Sequence, residues 1–127
     1  LSELNLTHCR NIRPVDLLRS EILKTAYARA IALDPSMILL EHALEGQCLI
    51  NVQTYLESLR KKAIDHNTSI LITTFEPMRY LDYADKFIML YNGNIVFEGS
   101  GEQFAATGNS YVVQYKNSSS HGPMRIL

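Results

Sequence analysis

Two side chains able to do chemistry stand together directly after an apolar run, where Met37-Ile38-Leu39-Leu40 is followed by Glu41 and His42. A carboxylate can hold a cation or a cation-bound water, and an imidazole can act as a general base near neutral pH. Parallel sheets concentrate functional groups at the C-terminal ends of their strands, although such positions also carry ordinary rim polar residues. His8, Cys9 and Cys48 offer further metal-ligating atoms. Together with His42 they follow no zinc-ligand spacing, so no metal site is assigned. Arg60-Lys61-Lys62 reads as a solvated helix end, and Met78, Met89 and the seven tyrosines as packing groups.

These groups sit in a chain of 127 residues, 46% hydrophobic and 20% charged, which is the composition of a soluble globular domain. A chain of this size buries roughly two-thirds of its unfolded surface, enough for a packed interior without disulfide staples. Twelve basic and thirteen acidic residues are interspersed and give a net charge of −1, so nucleic acid is not an expected partner. The longest apolar runs are a handful of residues, against about 20 needed to span a bilayer, so direct membrane insertion is not expected either. Cys9 and Cys48 form no CxxC pair, which fits reduced thiols in the cytoplasm. The chain begins with Leu1, which suggests a trimmed or partial product of a longer reading frame.

The elements that must position Glu41 and His42 follow from periodicity. Leu18, Ile22, Ala26, Ala30 and Leu33 predict a helix from an Asp16 N-cap to Leu33, ended by Pro35. Met37 to Leu40 is then a short, fully buried strand of the parallel type. A crossover helix from Gln47 to Asp65 follows, with Leu49, Val52, Leu56, Leu59 and Ala63 on its apolar face. Ile70 to Thr74 is the next buried strand, and Pro77 opens a short helix through Leu81 to Ala84. Lys86 to Tyr91 and Asn94 to Glu98 flank Asn92-Gly93, a strong signal for an antiparallel hairpin that closes the sheet. Ser100 and Gln103 make a capping box for a helix through Ala106, and Asn117 to Ser120 lead into a polar tail.

Read consecutively, Leu17-Leu18-Arg19-Ser20-Glu21, Ala28-Arg29-Ala30-Ile31-Ala32-Leu33-Asp34-Pro35 and Met37-Ile38-Leu39-Leu40-Glu41-His42 resemble the second half of an ABC transporter ATPase. In that family an LSGGQ signature opens a helix ending in ARA-x-x-x-x-P, and a hydrophobic strand ends in the Asp-Glu of Walker B. Thr74-Phe75-Glu76-Pro77 through Ala84-Asp85-Lys86-Phe87 resembles the switch-histidine segment, and Leu90 to Gly99 resembles the family's L-x-x-G-x-I-x-x-x-G hairpin. The resemblance covers about residues 3 to 107. It implies an α/β, partial P-loop NTPase sheet with a signature helix, parallel Walker B and switch strands, and a C-terminal β-hairpin. Residues 1–35 form the helical signature part, 36–107 the sheet part and 108–127 a C-terminal tail. Asn109 to Tyr115 and His121-Gly122-Pro123 resemble the ending of the ATPases of bacterial Mla- and Mce-type lipid transport.

Carried over position by position, the scaffold is retained while the residues that touch nucleotide are substituted. The signature serine and two glycines correspond to Leu18, Arg19 and Ser20, followed by Glu21; an arginine obstructs the close backbone approach that the glycines allow. The Walker B aspartate is Glu41, the catalytic glutamate is His42, and the switch histidine is Phe75, which can neither donate nor accept a hydrogen bond through its side chain. In the D-loop Gly46 is followed by Gln47-Cys48 where the family has Leu-Asp. No G-x-x-x-x-G-K-[ST] occurs: only Gly46 of the six glycines precedes Gly93, and none of the five lysines follows a glycine.

The resemblance therefore implies a degenerate cassette half that does not hydrolyse ATP alone, because phosphoryl transfer depends on positioning and charge stabilisation. No cofactor is expected unless an upstream or partner P-loop completes a site for ATP and magnesium. The expected partners are proteins: another cassette, a membrane transporter subunit or a second copy in a homodimer. The expected location is the cytoplasm, peripheral on the inner membrane through a transporter. The alternative is the C-terminal part of a working lipid-transport ATPase whose P-loop lies upstream of Leu1, and a third reading is a decayed paralogue. In the family's sheet the P-loop strand lies between the switch strand and the hairpin. Three arrangements would follow here: a fragment of a longer cassette, a strand supplied by another chain, or a hairpin shifted to pair directly.

Overall fold

The computed structural model describes residues 4–125, so the expectations for residues 1–3 and 126–127 lie outside the described residues. The chain divides into two compact units, Leu1–Phe75 and Glu76–Leu127. In the first, short 3-10 turns at Thr7–Cys9 and Pro14–Asp16 precede helix α1 (Arg19–Ile31), strand β1 (Met37–Glu41), helix α2 (Leu49–His66) and strand β2 (Ser69–Thr73). β1 and β2 pair in parallel, Met37 opposite Ser69 through to Glu41 opposite Thr73, with α2 as the expected crossover. The core of this unit is Leu6, Cys9, Tyr27, Ile38, Leu44, Val52, Leu56 and Leu59.

Helix α1 starts two residues later than the Asp16 cap predicts. Pro14–Asp16 instead form a separate 3-10 turn, Asp16 pairs with Arg13 at 3.0 Å, and Leu18 is extended at the N-cap. The Leu18 N–H donates to Glu21 Oε2 at 2.8 Å, so the carboxylate of the helix's third residue supplies the cap that a leucine cannot. Helix α2 begins at Leu49 from an N-cap at Cys48, and Leu49 is itself 62% exposed, so the apolar face narrows to Val52, Leu56 and Leu59. The strands are buried on one face only. Leu39 is 64% exposed and its register partner Leu71 is also exposed, whereas a fully covered parallel pair was the expectation.

The second unit contains a 3-10 turn at Pro77–Tyr80, strands β3 (Phe87–Tyr91) and β4 (Asn94–Gly99), and helices α3 (Gly101–Ala106) and α4 (Ser110–Lys116). Asn92 and Gly93 have φ of 47° and 75°, the positive pair that a type I′ turn requires. The hairpin forms a two-stranded sheet of its own, not the closing edge of the parallel one.

Within this unit Phe104 stacks on Phe87 and meets Phe97 edge-on, with ring centroids 5.1 and 5.4 Å away. The Ser100–Gln103 capping box is present in both directions. A Cβ on Gly101 would stand 2.7 Å from the Leu81 carbonyl oxygen, so only glycine lets α3 start there. Helix α4 is an element the sequence reading did not contain. Asn109 Oδ1 accepts the Tyr111 N–H, and Asn109 Nδ2 donates to the carbonyl of Val96, the bulged residue of β4.

Candidate functional site

Because β1 and β2 run in parallel and in register, their C-terminal ends bring Glu41 and His42 alongside Thr73 to Phe75. The His42 N–H donates to the Thr73 carbonyl at 3.1 Å, extending the ladder by one residue. His42 then adopts φ 48°, a left-handed conformation that costs a β-carbon-bearing residue of order 1–3 kcal/mol. The imidazole stacks on the Phe75 ring, with centroids 4.4 Å apart and planes inclined by 21°. Glu45 joins the two: its Oε1 lies 2.9 Å from His42 Nδ1 and accepts the Phe75 N–H at 2.6 Å. The bond from His42, followed by that from the Phe75 N–H, holds the Glu45 carboxyl below the ordinary glutamate range.

Arg19, the first residue of α1, reaches the same turn. Its Nη2–H donates to the Glu45 carbonyl at 3.4 Å, and the guanidinium lies beside Gly46. Gly46 has φ 69°, and a Cβ there would remain 3.9 Å from Arg19, so the conformation and not the space selects glycine. One end of the parallel pair thus gathers Arg19, His42, Glu45, Gly46 and Phe75. Phe75 is nevertheless 68% exposed, and Glu41 ends the strand exposed to solvent.

The other sequence-derived positions separate from this group. Ser20 and Gln47 line a cavity of about 310 Å³ with Lys24, Tyr27 and Tyr55. Across it the Tyr55 hydroxyl donates to the Leu23 carbonyl at 2.8 Å, and burial pushes that hydroxyl's pKa above the ordinary tyrosine range. Glu21 turns toward His8, Leu18 is exposed at the N-cap of α1, and Cys48 occupies the N-cap position of α2 with no side-chain cap bond. Sequence reasoning missed Glu45. Its only local signal is a carboxylate three residues after a histidine, and its second partner is 30 positions away.

No protein-family model matches the chain. It is 26% identical over 126 residues to the intermembrane phospholipid transport system ATP-binding protein MlaF of Haemophilus influenzae, covering 99% of this chain and 48% of that protein. It is also 26% identical to the molybdate/tungstate import ATP-binding protein WtpC of Archaeoglobus fulgidus, over 89% of this chain and 47% of that protein. A solved ABC transporter in an inward-facing conformation superposes with a TM-score of 0.76 at 27% identity, covering 91% of this chain and 44% of that one. The chain has a partial ABC ATPase fold. Its relatives are ABC transporter ATP-binding proteins, and it spans about half the length of the curated relatives it matches.

On this partial ABC ATPase fold, the start of α1 and the ends of β1 and β2 bring Arg19, His42 and Phe75 into direct or shared contact through Glu45. Phe75, stacked on His42, offers no side-chain hydrogen bond to a phosphate. Among the described residues, no helix is long and apolar enough to cross a membrane.

Proposed function

We propose that this chain is a degenerate half of an ATP-binding cassette that does not hydrolyse ATP alone and acts through protein contacts in a transporter. The observation that carries the reading is the His42–Glu45–Phe75 cluster. The resemblance assigns water activation and γ-phosphate sensing to positions 42 and 75, yet here their rings stack on each other, and one carboxylate takes both the His42 imidazole and the Phe75 backbone N–H. Arg19 stands where the signature glycines expose backbone, and the sequence contains no phosphate-cradling loop. The exposed register partners Leu39 and Leu71 leave apolar surface on one face of the parallel pair, which fits a sheet that further protein covers. The partner is another cassette or a membrane transporter subunit, and the site of action is the cytoplasmic side of the membrane.

A second reading is favoured by one observation, the alignment to MlaF over 99% of this chain. In it the chain is the C-terminal part of a lipid-transport ATPase whose P-loop lies upstream. An in-frame Walker A motif in the genomic sequence before Leu1 supports this reading, and a stop codon there without one removes it.

The leading reading is tested by calorimetric titration of the purified chain with magnesium-ATP. The expected result is no saturable binding tighter than about 1 mM, which corresponds to about −4 kcal/mol. Micromolar binding that Arg19→Ala or His42→Ala weakens overturns it.

A further inference from the structure

Three potential metal ligands converge away from the strand-end site. His8 and Cys9 lie in the 3-10 turn Thr7–Cys9, and Glu21 lies in the first turn of α1. The His8 Nε2–H donates to Glu21 Oε1 at 2.7 Å, and His8 Nε2 is 3.1 Å from Cys9 Sγ. One ligand atom from each of the three residues can be chosen so that all lie within 4.8 Å of one another. We infer that His8, Cys9 and Glu21 bind a zinc-like divalent cation, which fastens the segment before α1 to the start of that helix.

The donor set selects the class of ion. One thiolate, one imidazole and one carboxylate suit zinc and its close transition-metal neighbours, whereas magnesium and calcium prefer oxygen donors alone. Bonds of about 2.0–2.3 Å place tetrahedral ligand atoms about 3.5 Å apart. The 2.7 and 3.1 Å separations therefore need to widen by less than about 1 Å, within reach of side-chain rotation. A cation takes His8 through Nε2, the ring proton moving to Nδ1, and replaces the proton of the Cys9 thiol, which leaves to solvent; no electron transfer is involved.

The surroundings prepare the site. Glu21 Oε2 accepts the Leu18 N–H at 2.8 Å, so the carboxylate is held by backbone while its other oxygen faces His8. Cys9 is buried beneath and His8 is 57% exposed by its side chain, giving a ligand on the protein side and a path from solvent. Three protein ligands leave a fourth tetrahedral position for water.

The test titrates the reduced 127-residue chain with zinc(II) by calorimetry and with cobalt(II) by absorption spectroscopy. The expected result is one equivalent of either ion, with a thiolate-to-cobalt charge-transfer band that Cys48→Ser retains and Cys9→Ser abolishes. His8→Ala and Glu21→Gln should each weaken zinc by at least the roughly 10- to 100-fold that outer-shell partners alone contribute. His8 is exposed, so its variant keeps the fold, which circular dichroism checks even where Cys9→Ser unfolds. Absence of saturable binding, a thiolate band that follows Cys48, or unchanged affinity in a folded His8→Ala chain overturns the inference.

Discussion

The two compact units carry the family pattern in opposite ways. In Glu76–Leu127 the features that build the architecture are local and act as their residue types dictate: Asn92-Gly93 turns the hairpin, and Ser100 with Gln103 starts α3. In Leu1–Phe75 the backbone pairing is as regular, yet the residues at its strand ends have other partners from those the family pattern implies. His42 lies against Phe75, and Glu45 holds both. The difference teaches that a scaffold survives on short-range rules, while a chemical site depends on which side chains a few tertiary contacts bring together.

Substitutions can break that contrast. The largest effect is expected at Phe104, whose ring contacts both Phe87 and Phe97. Phe104→Ala should cost about 3–5 kcal/mol by urea denaturation, and a loss below about 1 kcal/mol would show that the aromatic cluster does not organise its unit. Next comes Gln114, a buried amide that donates to the carbonyls of Ser119 and Met124 and accepts the Met124 N–H. Gln114→Leu should cost about 1–3 kcal/mol and expose the C-terminal segment to limited proteolysis, because those backbone groups lose their partner. Gly93→Ala should cost about 1–2 kcal/mol through its left-handed φ alone, since among the described residues no atom lies within 4 Å of the added Cβ.

The smallest effects belong to the strand-end site, and they sharpen the comparison through pH. The Glu45 carboxyl is depressed in the folded chain, so the unfolded chain binds more protons in the acidic range and stability rises with pH there. That contribution is fully present above the unfolded glutamate value, about 4.3, and is lost as pH falls through the lower folded value. Glu45→Gln should therefore flatten the stability profile on the acid side, leaving the part owed to Glu21 and Asp34, which are depressed too. Denaturation midpoints measured from pH 7 down to about 3 check this, and an unchanged acid limb would remove Glu45 as the link between His42 and Phe75.

How much of this was legible in the sequence follows the same division. The parallel pair, the crossover helix and the hairpin are written in apolar runs and in Asn92-Gly93, and the structure has them. The start of α1 was misplaced because Asp16 is a good cap by type, while Pro14–Asp16 close a 3-10 turn and Glu21 does the capping from inside the helix. Helix α4 was missed because its seven residues give too short a period, and Asn109 as its cap also bonds a bulge carbonyl 13 positions back. In the site, Glu41, His42 and Phe75 were legible as positions, Phe75 only through the family register. That Arg19 would reach the turn at Glu45 and Gly46, and that Glu21 would turn to His8, are contacts across 26 and 13 positions that no local pattern records.

The central claim is that this partial cassette does not hydrolyse ATP by itself, and phosphate release by the purified chain with magnesium-ATP tests it most directly. No magnesium-dependent release above a no-protein control is expected, with wild type and Glu41→Ala indistinguishable. Robust magnesium-dependent turnover that Glu41→Ala abolishes would contradict it.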